Sequence, residues 1–271
     1  MKQKLSLSII FKVGIILFSL QGCTNLLYWP DKILWGDPHM QNISYHEFFV
    51  PSFDGTKLLF WDVKTTEKEA DNLVLVFHGN GQNLSAHIYN FLWLTKFKTD
   101  IVIFDYRGYG LSNGTPSPVG MVEDGLKALQ MAHTKFRAGH YKKFIVFGQS
   151  LGGNILLSSL KEFEARNDIS LLVLDSTFRN AQDVARYRFG PLGFLISGEM
   201  AADKKLAHIT MPTLVIHSRY DKLVPFHFGE ELFNQIPATK KEFWKLDRGL
   251  HADAFFVEEG KYRQLFLNYL Q

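Results

Sequence analysis

The chain has 271 residues, 46% of them apolar and 21% charged, which excludes a disordered protein and sets one or two domains as the expectation. Its single cysteine rules out an intramolecular disulfide framework and a cysteine-rich zinc site. The net charge of +3 comes from Lys2, Lys4 and Lys12 in an acid-free stretch of the first 22 residues, and the remainder carries 27 basic against 27 acidic residues, so no nucleic-acid partner held through backbone charge is expected.

Residues 1–22 read MKQKLSLSIIFKVGIILFSLQG, a basic start followed by an apolar run from Leu5 to Leu20. That is the layout of a secretory leader. As a helix the run would cover only about 24 Å, short of a roughly 30 Å hydrocarbon core, and Lys12 interrupts it. It continues into Leu20-Gln21-Gly22-Cys23, which resembles the bacterial lipoprotein box. By that resemblance the Cys23 thiol takes up a diacylglycerol and becomes the new N-terminus, so residues 1–22 are a signal peptide and the mature protein is a lipoprotein on a bacterial cell-envelope membrane. More than one acyl chain makes such an anchor stable. A leader without lipidation, or an uncleaved anchor, is the alternative.

The rest, 23–271, reads as a single domain. Residues 24–44 lack periodicity and are expected to wrap the surface as an arm. Strands are expected at Tyr45–Val50 and Lys57–Val63, joined by a turn at Asp54-Gly55, a strong hairpin pair. Beyond a polar loop, Asn72–His78, Asp100–Tyr106, Lys143–Gly148, Leu171–Asp175 and Thr213–His217 are short, near-continuous apolar runs. They read as strands buried on both faces of a mostly parallel sheet. Lys241–Leu246 is more mixed, as an edge strand is. Helices are expected at Val119–Lys135, Asn154–Ala165, Phe226–Ile236 and Ala252–Leu270. This alternation gives an α/β fold with helices on both faces of the sheet. Residues 178–207 carry Tyr187, Phe189, Pro191, Leu192, Phe194, Leu195, Ile196 and Met200 and are expected to form a short apolar cap that can wall an acyl chain.

Gly148-Gln149-Ser150-Leu151-Gly152-Gly153 fits G-x-S-x-G, the nucleophile-elbow pattern of α/β-hydrolases, and stands between a buried strand and a helix as that pattern requires. The turn lifts Ser150 above the sheet and aims the Leu151 N–H, at a helix start, toward a developing oxyanion. A serine hydroxyl needs a base, and the base an orienting acid. Of the histidines downstream, His251 lies after the last expected strand, in Arg248-Gly-Leu-His251. That loop overhangs the sheet edge where α/β proteins keep their sites. His217 sits inside a strand and reads as packed or backbone-bonded; His208 and His227 read as surface or helix-start residues. The acid is expected to be Asp221, in the loop after TLVIH, with Asp175 as the alternative. Asp253 reads as a cap of the final helix. His78-Gly79-Asn80-Gly81-Gln82-Asn83 can present a second oxyanion donor, best the Asn80 N–H, with His78 structural. Asp105 and Arg107 are expected to hold their own turn-rich loop.

Together HGNGQN, DYRGYGLSNG, GQSLGG, the Asp before LVP and the late GLH resemble the α/β-hydrolase superfamily over residues 45–271. The resemblance is greatest to its compact branch of depalmitoylase-like and serine aminopeptidase-like proteins. It implies the α/β-hydrolase fold with a small cap, Ser150 as nucleophile, His251 as base, Asp221 as its orienter, and the N–H groups of Asn80 and Leu151 as oxyanion hole. No metal or other cofactor is implied. The expected activity is hydrolysis of carboxylic esters or thioesters, on a small-molecule or lipid-like acyl substrate. A serine peptidase or acyltransferase on the same residues, or a non-catalytic binding lipoprotein, is the alternative.

Overall fold

A computed structural model describes residues 28–190 and 206–271. The leader, Cys23 and cap residues 191–205 lie outside the described residues. Among the described residues no helix is long and apolar enough to cross a membrane.

Among the described residues ten strands occur: β1 Trp29–Pro30, β2 Tyr45–Pro51, β3 Lys57–Val63, β4 Asn72–Phe77, β5 Gly81–Gln82, β6 Thr99–Phe104, β7 Lys143–Gln149, β8 Leu171–Asp175, β9 Thr213–Ser218 and β10 Lys241–Leu246. Eight form one sheet in the order β10-β9-β8-β7-β4-β6-β3-β2. From β10 to β6 all neighbours are parallel; β3 and β2 extend the sheet antiparallel. The parallel strands are buried along their length, apart from β10 at the edge. Their residues alternate between two cores, as the two-residue period of a strand demands. Leu73, Leu75, Phe77, Phe144 and Val146 face one core; Val74, Val76, Ile145 and Phe147 face the other.

The helices are α1 Leu84–His87, α2 Pro118–Ala138, α3 Leu151–Ser159, α4 Ala181–Phe189, α5 Phe226–Gln235 and α6 Lys261–Leu270. Met121, Ala128 and Leu129 of α2 and Ile155 and Leu156 of α3 fill the first core; Tyr262, Phe266 and Leu270 of α6 fill the second. Ser117 caps α2 by accepting the Gly120 N–H, with Pro118 at the first helical position, where a missing N–H costs nothing. The fold is therefore that of an α/β-hydrolase, as the sequence implies.

Two expected helices differ. The run Asn154–Ala165 starts three residues earlier, because the chain enters α3 directly from Ser150, and α3 ends at Ser159. The run Ala252–Leu270 is not one helix: two short 3₁₀ turns precede α6. Glu258, Glu259 and Gly260 all have positive φ, a conformation that cannot continue a right-handed helix. Asp253 consequently does not cap the final helix. Its carboxylate accepts the Leu250 N–H at 2.8 Å and braces the loop before His251.

Candidate active site

Because β4, β6, β7, β8, β9 and β10 run parallel, the loops after them emerge from one edge of the sheet. These loops begin at His78, Asp105, Ser150, Ser176, Arg219 and Asp247, and they build the site.

Ser150 ends the turn from β7 into α3 with φ +54° and ψ −121°, a strained conformation for a residue with a side chain. The turn closes only with glycines around it. A Cβ on Gly152 would stand 2.3 Å from the Phe77 carbonyl oxygen, and one on Gly148 would stand 2.5 Å from the Gly153 Cα. The strain is carried by neighbours: the Ser150 N–H donates to the Asp175 carbonyl at 2.8 Å, and its own carbonyl accepts from Gly153 at 3.1 Å. Leu151 is the first residue of α3, so its N–H has no acceptor within the helix.

Ser150 Oγ lies 2.9 Å from His251 Nε2, and His251 Nδ1 lies 2.7 Å from Asp221 Oδ2. A carboxylate only accepts, so the short bond to Asp221 places the ring proton on Nδ1 and leaves Nε2 to accept the serine proton. Asp221 comes from the loop after β9. Its Oδ1 accepts the N–H groups of Leu223 at 2.8 Å and Val224 at 2.9 Å. Burial would raise its pKa, but the facing His217 and His251 and the Val224 amide outweigh that and hold it at about 2. The carboxylate therefore stays ionised beside the imidazole. His217 is fully buried and donates from Nε2 to the Val224 carbonyl at 2.8 Å, the backbone-bonded role expected of it, with Asp221 Oδ2 3.4 Å away.

The loop after β4 is held by its carbonyls. His78 Nδ1 donates to Gly79 O at 2.8 Å, Tyr109 donates to Asn80 O at 3.0 Å, and His87 Nε2 donates to Gly81 O at 2.9 Å. A trans peptide points its N–H opposite to its carbonyl, so the Gly79–Asn80 peptide turns the Asn80 N–H away from His78. A Cβ placed on Gly79 would lie 3.7 Å from Ser150 Cβ, so this loop abuts the serine. Asp105 Oδ1 accepts the Leu84 N–H at 2.7 Å. Arg107 pairs with buried Asp124 at 2.8 Å and Asp54 at 2.9 Å. Both are structural, as their turn-rich loop suggests.

The sequence patterns do not single out three further residues around the serine, Gln149, His87 and Ser176. Gln149 Oε1 faces His87 Nδ1 at 3.3 Å, while its Nε2 donates to the Ala252 carbonyl at 3.1 Å. Ser176 Oγ accepts the Ala252 N–H at 2.9 Å and donates to Asp175 Oδ1 at 3.1 Å. The loop carrying His251 is thus latched on both sides of Ala252. Burial pushes Asp175 up to about 6, against the lowering pull of His251 and Ser176. Burial, reinforced by neighbouring His78, pushes His87 down to about 4. Asp175, the alternative acid, has its bond to Ser176 where Asp221 has its bond to His251. Only contacts distant in sequence could reveal these roles, since Gln149 fills an unconstrained position of G-x-S-x-G. Among the described residues no cluster of His, Cys, Asp and Glu is arranged to hold a metal ion.

Comparison with known proteins agrees with the geometry. Residues 68–189 match the model of the serine aminopeptidase S33 family. The chain is 29% identical over 272 residues to the uncharacterized protein YfhR of Escherichia coli, covering 96% of this chain and 94% of that one. It is 33% identical over 192 residues to the lysophosphatidylserine lipase ABHD12 of Rattus norvegicus, covering 63% of this chain and 46% of the lipase. Among solved structures, the Pyrococcus furiosus esterase Pf2001 superposes with a TM-score of 0.72 at 18% identity, over 90% of this chain and 96% of the esterase. The solved-structure similarity bears out the α/β-hydrolase fold, and the partial matches to the S33 family model and to the lipase are consistent with it.

Proposed function

We propose that the protein is a serine hydrolase that cleaves carboxylic esters or thioesters through an acyl-enzyme. The observation that carries this reading is the continuous series from Ser150 Oγ through the His251 ring to Asp221, with contacts of 2.9 and 2.7 Å. In this mechanism Ser150 Oγ attacks the acyl carbonyl while His251 Nε2 takes its proton. Asp221 stabilises the imidazolium without itself being protonated. The Leu151 and Asn80 N–H groups receive the tetrahedral oxyanion, where fixed donors act more strongly than in water. His251 then returns the proton to the leaving alcohol or thiol. Water enters, gives a proton to His251 and attacks the acyl carbon; His251 passes that proton to Ser150 Oγ as the acyl–serine bond breaks, releasing the carboxylic acid and restoring the enzyme.

Esters are favoured over peptides because the acids at this edge are already engaged. Asp221 holds the Leu223 N–H and the His251 ring, Asp253 holds the Leu250 N–H, and buried Asp105 holds the Leu84 N–H, so each already has a structural task in its own loop. The similarity to an esterase and a lipase supports the same choice. The lipoprotein box at Leu20–Cys23 supports an anchored protein on a bacterial envelope membrane, lipidated at Cys23.

The test is labelling with a fluorophosphonate probe, followed by mapping of the modified peptide. Stoichiometric label on Ser150 is expected, with none in Ser150→Ala. That variant should also lose about 10⁴-fold or more in kcat on a short-chain ester, because these residues act as a unit. Unchanged turnover in Ser150→Ala refutes the reading.

A further inference from the structure

The arm before β2 is more apolar on its outside than a solvent-facing segment requires. Trp29 is 63% exposed, Ile33 56%, Leu34 67% and Trp35 47%. The arm is not a loose tail. β1 pairs with β5 in the loop beside Ser150, with Trp29 opposite Gly81. Asn83 Nδ2 donates to Asp31 Oδ1 at 2.6 Å and to the Ile33 carbonyl at 2.8 Å, and Ser85 Oγ accepts the Trp35 N–H at 3.0 Å. The Gly110 N–H donates to the Asp31 carbonyl, which brings exposed Leu111 alongside. On the other side of the serine, exposed Leu250 precedes His251. These side chains stand on the sheet edge where the site opens, with exposed Lys32 and Lys222 among them. Clustered exposed apolar groups mark an interaction surface. Tryptophan beside aliphatic and basic residues is the composition of a segment resting in a phospholipid interface.

The chain's own sequence names the occupant. Cys23 precedes Trp29 by six residues, a reach of about 20 Å at most, and the run before it is apolar. An anchor there holds the arm at the bilayer. We propose that this face docks on a phospholipid bilayer and presents Ser150 to acyl lipids of that membrane. The substrate class rests on the hydrolase reading; the docking does not.

The test uses the full chain reconstituted in phosphatidylethanolamine–phosphatidylglycerol vesicles carrying brominated acyl chains, and compares it with Ile33→Ser/Leu34→Ser. Of the five tryptophans, Trp61 and Trp244 are buried and Trp93 is half-buried, so bromine quenching reads Trp29 and Trp35. Quenching is expected in the unaltered chain and should fall in the double variant. Turnover of an ester embedded in the vesicle should fall about tenfold, the effect expected when two aliphatic side chains no longer enter the acyl region. Turnover of a water-soluble short-chain ester should not change. Quenching equal in both proteins would mean tether proximity alone and overturns the proposal. A dimer that sediments without vesicles and dissociates in the double variant would make a second copy the occupant, and also overturns it. Variant-sensitive quenching with no turnover of either ester would support the docking face and refute the hydrolase reading.

Discussion

Three titratable side chains near the serine pull stability in different directions with pH. Asp221 is held at about 2, below its ordinary 3.8, so its contribution is present above about pH 4 and lost as pH falls toward 2. His87, pushed from 6.5 to about 4, contributes stability that is present above 6.5 and lost as pH falls through 4. Asp175, raised to about 6, has the opposite sign: its contribution is complete below about 4 and lost as pH rises through 6. His87 and Asp175 therefore offset one another between pH 6.5 and 4, each by about 3 kcal/mol. Replacing Asp175 by Asn keeps the acceptor for Ser176 and removes the titration. The expected outcome is a melting temperature higher than wild type at pH 7.5 that declines steadily from pH 6.5 to 4, where the wild type stays nearly level. Parallel profiles for the two proteins would contradict the opposing roles.

At the scale of elements, the loop bearing His251 is the least regular part of the site and the one most dependent on its latches. Gly249 and Ala252 both have positive φ, so local preference does not hold the loop. The bonds of Gln149 to the Ala252 carbonyl and of Ser176 to the Ala252 N–H do. Removing the hydroxyl in Ser176→Ala leaves the Ala252 N–H without that acceptor, a loss of about 1 kcal/mol. It acts on the orientation of His251 more than on substrate binding. We expect kcat on a short-chain ester to fall about tenfold with KM unchanged. A proportional change in KM would move Ser176 from positioning the loop to binding substrate. Elements also mark where sequence reading stops. The strands are legible because a run such as LVLVF cannot be anything but buried at that length. The break before α6 is not, because three consecutive positive-φ residues, two of them Glu, leave no trace in apolar spacing.

Across the whole molecule, the hairpin end of the sheet is tied to the α2 face by charge. Arg107 bridges Asp124 on α2 and Asp54 in the β2–β3 turn, and Ser52 also donates to Asp124. Asp124 is fully buried, so Arg107→Met would strand a carboxylate. The expected cost is about 3–5 kcal/mol, read as a fall of roughly 10 °C in melting temperature for a chain of this size. Arg107→Met combined with Asp124→Asn should recover part of it. By itself the sequence determined the order of elements, the doubly covered parallel sheet and the strand–turn–helix around Ser150, because hydrophobic period, run length and glycine spacing are local properties. It also named Asp221 and His251, since each follows a strand in the order Ser, acid, His. Only the tertiary structure decided that Gln149 and Ser176 clasp the backbone of one residue, Ala252, 76 or more positions away, that His217 faces Asp221, and that the apolar arm at Trp29–Trp35 runs beside the serine. Those relations arise where strands distant in the chain end on the same edge of one sheet, and no window of sequence contains both partners.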